Sequence, residues 1–87
     1  MYLSDENAFI QQFPLVHQEL ANHHAKNGGS LADFYFGEFS SLLTSGGDIA
    51  FGLYYISKTD ENRSIALDGY IDATGRPLAA EYSNEVD

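Results

Sequence analysis

The chain has 87 residues, 44% of them hydrophobic, with six Phe, six Tyr and no Cys, and its thirteen acidic and four basic side chains give a formal charge of −9. That length supports one domain with a modest core, and so apolar and aromatic a composition excludes a disordered acidic tail. The missing cysteines exclude disulfides, thiol catalysis and thiolate metal sites, and a surface offset only by Lys26, Lys58, Arg63 and Arg76 disfavours direct contact with nucleic acid or anionic lipid.

From the N-terminus, Ser4 before Asp5 and Glu6 reads as an N-cap with first-turn carboxylates, and Phe9, Ile10 and Phe13 follow at helical spacing. Pro14 leaves two readings open. It either bends one helix that runs to about His24, or opens a second helix after a break at Gln12 and Phe13. Val16 and Leu20 continue the apolar face in both cases, with His24 a candidate for its next position, and Lys26 before Gly28 and Gly29 suits a helix end.

Ser30 and Asp33 approximate a capping box, and Leu31, Phe34, Tyr35, Phe39, Leu42 and Leu43 then fall at helical intervals. This spacing predicts a helix stopped by Gly46 and Gly47, with Phe36 either on a second packing surface or exposed. From Ile49 the period changes to two. Ile49, Phe51, Leu53 and Tyr55 alternate with Ala50, Gly52, Tyr54 and Ile56, and after a polar turn through Asp60, Glu61 and Asn62 a second strand alternates Ile65, Leu67 and Ile71 with Ala66, Asp68, Tyr70 and Asp72. Asp72 to Gly75 suits a type I turn, leading to a third, edge strand around Leu78 to Tyr82 or to a short terminal helix. The expectation is therefore a single α+β domain over 1–87, with two or three N-terminal helices packed on a small two- or three-stranded antiparallel sheet and frayed ends at 1–3 and 83–87.

Few residues form a site by spacing alone. Glu19 and His23 are four apart and share a helix face, but His17 and His24 lie at other azimuths and HExxH is absent, so ordinary titrating histidines and no metal are expected. Asp68 and Asp72 fall on one strand face about 13 Å apart, too far for a typical paired-carboxylate mechanism. Asp68 to Gly75 lacks the ligand pattern of a calcium loop, Gly28–Gly29 lacks the context of a phosphate loop, Asn62–Ser64 matches a glycosylation triplet without a secretion signal, and no nucleophile signature occurs. No cofactor and no enzymatic activity are expected.

What remains is a surface. Asp68, Tyr70 and Asp72, joined by Tyr54 from the neighbouring strand and by Asp60 and Glu61 in the turn, form a candidate anionic and aromatic interface for a basic protein. Carboxylates spread over a rigid scaffold can imitate a row of phosphates, so the expected function is an acidic protein-binding module, an inhibitor or nucleic-acid mimic acting on a basic, nucleic-acid-binding partner. Three other classes stand beside it: an assembly subunit that associates through an aromatic patch or sheet edge, a charge that serves only solubility, and, ranked last for want of any motif, an enzyme or metal-binding protein. With no polybasic face and no run of about 18 apolar residues, a cytoplasmic protein free of membrane is expected. The oligomeric state is not encoded in any pattern here.

Overall fold

A computed structural model describes residues 1–86. The elements run β1 (Tyr2–Leu3), α1 (Glu6–Gln12), α2 (Pro14–Lys26), a 3₁₀ turn (Leu31–Asp33), β2 (Phe34–Leu43), β3 (Ile49–Ser57), β4 (Arg63–Ile71) and β5 (Pro77–Val86). The strands form one sheet in sequence order, with every pair antiparallel, and both helices lie on a single face of it. This corrects the expected architecture: the sheet has five strands in place of two or three, and two helices accompany it.

The largest correction is the segment after Ser30. Ser30 does cap a turn, its Oγ accepting from the Ala32 N–H at 3.2 Å, but the turn is a single 3₁₀ turn and the chain enters a ten-residue strand at Phe34. The cause is a register shift between Phe36 and Glu38. Phe34 and Phe36 pair with Ser57 and Tyr55 on the helix side of the sheet, Gly37 is the extra residue of the bulge, and Phe39 resumes the same side opposite Leu53. The stripe read as helical thus mixes both faces of the strand: Phe34 and Phe39 face the helices, Tyr35 and Leu42 turn to the other face, and Phe36, which fell outside the stripe, also points inward.

Pro14 opens a second helix. Phe13 closes α1 and precedes α2 at φ −133°, ψ 56°, and Pro14 occupies the first helical position, where its missing N–H is not needed. The cap of α1 is Asp5 and not Ser4: its carboxylate accepts from the Ala8 N–H at 3.0 Å. At the other end the ambiguity after Gly75 resolves as strand, and Tyr2–Leu3 and residues 83–86, within the segments read as frayed ends, lie in β1 and β5, while Asp87 lies outside the described residues.

Phe9, Val16 and Leu20 of the helices and Phe39, Leu53, Tyr55, Ile65 and Leu67 of the strands are fully or almost fully buried. Each such side chain contributes about 1.5–3 kcal/mol by leaving water. Phe36 belongs to this core, its ring 5.4 Å from that of Phe9 and edge-on to Tyr55 at 5.5 Å. The Tyr55 hydroxyl crosses the helix–sheet seam to donate to the Glu6 carboxylate at 2.7 Å. No helix among the described residues is long and apolar enough to cross a membrane.

Candidate functional site

Two helices cover one face of the sheet and leave the other bare. Period two assigns its side chains, and the strand registers arrange them in four cross-strand rows. One row runs Leu42, Ala50, Tyr70, Ala79, and the next Tyr2, Ser40, Gly52, Asp68, Glu81. A third runs Glu38, Tyr54, Ala66, Ser83, and the last Tyr35, Ile56, Ser64, Glu85. The middle of the face is built of Gly, Ala and Ser, so it is shallow and lets backbone approach. Tyrosines rise from it, and the carboxylates of Glu38, Asp68, Glu81 and Glu85 stand toward both sides.

Tyr54 is held in place from two directions. Its ring lies across the bulge, where a Cβ on Gly37 would run into the ring, and its hydroxyl interacts with the Glu38 carboxylate, which pushes its pKa up. Asp68 is the direct cross-strand neighbour of Glu81. Like charges so placed repel, and the face supplies no lysine or arginine to separate them. At a corner of the face the Lys58 ammonium sits 5.1 Å over the Tyr35 ring. On α2, His23 Nε2 lies 3.2 Å from the Glu19 carboxylate. Between β4 and β5, Asp68, Gly69, Tyr70, Ala79, Ala80 and Glu81 line an open depression of about 510 Å³.

The six residues singled out by sequence separate into three places. Tyr54, Asp68 and Tyr70 share the bare face. Asp72 has left the sheet: its Oδ1 accepts from the Thr74 hydroxyl at 2.6 Å, the Thr74 N–H at 2.8 Å and the Arg76 N–H at 3.1 Å, and these bonds hold its carboxyl below the usual range. Gly75 completes that turn at φ 84°. Asp60 and Glu61 sit in the β3–β4 turn, at the opposite end of β4 from Asp72, and Asp60 Oδ1 accepts from the Asn62 N–H at 3.0 Å. Asp72 and Asp60 therefore serve turns, and the carboxylates that do join Asp68 on the face are Glu38, Glu81 and Glu85. Sequence reasoning missed them because their neighbours lie across strands, in segments read as helix or left open.

The histidines do not converge. His17 meets the edge of the Phe9 ring, and His23 stacks on Tyr82 at 5.8 Å. His24 is only 4% exposed and, with Val16 and Leu20, occupies the buried face of α2, the position for which it was a candidate. Its Nδ1 bonds the Tyr82 hydroxyl at 2.9 Å, its ring meets Phe34 edge-on, and its Nε2 is buried beneath Gly29 without a partner. Burial lowers its pKa, against an opposing pull from Asp33. Among the described residues no three His, Asp or Glu side chains come together as a metal site.

In comparison with known proteins, the chain matches no family model, no curated protein and no solved structure.

Proposed function

We propose that the chain is a small acidic protein-binding module whose bare sheet face receives a basic protein surface of the kind built for nucleic acid. The observation that carries this reading is the pairing of Asp68 with Glu81 where, among the described residues, the bare-face rows of the strands hold no lysine or arginine beside them. The fold tolerates that repulsion where a partner's lysine or arginine would relieve it. The shallow floor of Ala50, Gly52 and Ala66 admits close contact, and Tyr54 and Tyr70 offer aromatic area at small entropic cost. Association of this type is fast and weakens with salt. Inhibition of the partner's nucleic-acid binding follows if the carboxylates take the place of phosphates.

The test is capture from a host lysate at low salt followed by a salt gradient. A stoichiometric basic partner that leaves at moderate salt supports the reading, and retention of nothing specific counts against it.

A second reading, self-assembly, draws on the row Leu42, Ala50, Tyr70, Ala79. Leu42 is 71% exposed and Tyr70 45%, which gives this end of the face an apolar character. Association by this row would persist in high salt, and sedimentation at two ionic strengths separates the readings.

A further inference from the structure

Among the described residues β5 is the terminal strand of the sheet and has no neighbour on its far side. It is ten residues long, and no side chain among the described residues hydrogen-bonds to its outward backbone. Unpaired strand edges recruit other strands, and proteins normally blunt them with proline, bulges, lysines or a covering element. Here the blunting is confined to the start, where Pro77 and the register shift at Tyr70/Ile71 interrupt pairing. Ala79 to Val86 remains a regular edge. The opposite edge differs, since β1 covers Phe39 and Ser40 and the N-terminal ammonium donates to the Ser41 carbonyl.

The side chains of this edge select its occupant. Glu81 and Glu85 are four apart, so both stand on the bare face, with Ser83 between them, Ser64 beside Glu85 and Asp68 beside Glu81. Two copies of β5 paired antiparallel about Ser83, between the two glutamates, would set Glu81 opposite Glu85, so in that register the charge works against self-pairing. It favours a strand with lysine or arginine at every second position, whose cations would fall opposite Glu81 and Glu85 while its backbone satisfies the open edge.

We infer that β5 is a docking edge for an extended, basic segment of a partner protein, which adds to the sheet as a sixth strand. This rests on the basic-partner reading of the bare face and specifies how the partner is held.

The probe is a ten-residue peptide alternating lysine and threonine, titrated into the isotope-labelled protein at low salt. Backbone amides of Ala79 to Val86 should gain protection from exchange, and intermolecular contacts should appear along β5. The same peptide N-methylated throughout keeps every charge and loses every backbone donor, and should bind at least tenfold more weakly. The variant Glu81→Gln/Glu85→Gln, checked for an unchanged spectrum, should lose affinity for the unmodified peptide by at least fivefold. Equal affinity for the two peptides, with shifts spread over the bare face, would overturn strand addition while leaving the basic-partner reading intact. Absence of binding by either peptide and by a lysine-rich folded domain would overturn both.

Discussion

Asp68 on β4 and Glu81 on β5 are direct cross-strand neighbours on the uncovered face of the sheet, and no cationic side chain of that face lies beside them. Two carboxylates in this relation cost the fold stability, and the cost is local and screenable.

Neutralising either one should therefore stabilise the protein. Asp68→Asn or Glu81→Gln is expected to raise the unfolding free energy by about 0.2–1 kcal/mol, and Glu81→Lys by somewhat more through an opposite-charge pair. Urea denaturation at low and high salt checks this: the gain should shrink as salt rises. A loss of stability in Asp68→Asn would show that the carboxylate has a structural partner.

The Tyr55 hydroxyl links α1 to the sheet through Glu6. Tyr55→Phe keeps the buried ring and removes the bond, so a loss of about 1.5 kcal/mol is expected, the lower end of the range for a bond to a charged group because Glu6 is exposed. Thermal unfolding of Tyr55→Phe and Glu6→Gln should show smaller effects for Gln, which can still accept.

His24 makes stability depend on pH in a defined direction. Burial holds its folded pKa below the ordinary 6.5, so between these two values the unfolded chain binds more protons than the folded one. The contribution of the neutral ring is present above about 6.5 and is lost as pH falls through that window toward the folded pKa. Tyr82, Asp33, Asp60, Arg63 and His23 are the titratable or charged groups around it. Denaturation midpoints measured across this range should fall on acidification, and His24→Phe should flatten that part of the profile whatever its effect at neutral pH.

Gly69 lies against the neighbouring strand so closely that a Cβ would collide with the Ala79 carbonyl oxygen. Gly69→Ala must part β4 from β5, and a loss of about 1–3 kcal/mol is expected. Faster amide exchange in β5 than in β2 would locate the damage.

Much of the second half of the fold was legible in the sequence, because β3 and β4 alternate cleanly and their turn carries Asp60 and Asn62. Phe34 to Leu43 was not. The bulge at Gly37 breaks the two-residue period, so that inward Phe34 and Phe39 and outward Tyr35 and Leu42 together fall at helical intervals, and a genuine Ser30 cap strengthens the wrong reading. β5 was ambiguous because Ala79 and Ala80 fit either state and Pro77 opens either. At the site, period two correctly placed Tyr54, Asp68 and Tyr70 together but also carried Asp72 onto the face, where turn hydrogen bonds with Thr74 and Arg76 remove it. Glu38 and Glu81 could be found only from cross-strand register, a long-range property that no local pattern records.

The central claim concerns where the negative charge lies, so the most direct measurement compares two variants of equal net charge. One neutralises the bare face, as Glu38→Gln/Asp68→Asn/Glu81→Gln; the other neutralises three carboxylates away from it, as Glu19→Gln/Asp48→Asn/Glu61→Gln. Each is used with the unaltered protein in capture with salt-gradient elution. The account predicts that the unaltered protein and the second variant retain the same basic partner at comparable salt and that the first variant loses it. Equal retention by both variants, or loss in proportion to net charge alone, would contradict the assignment of function to this face.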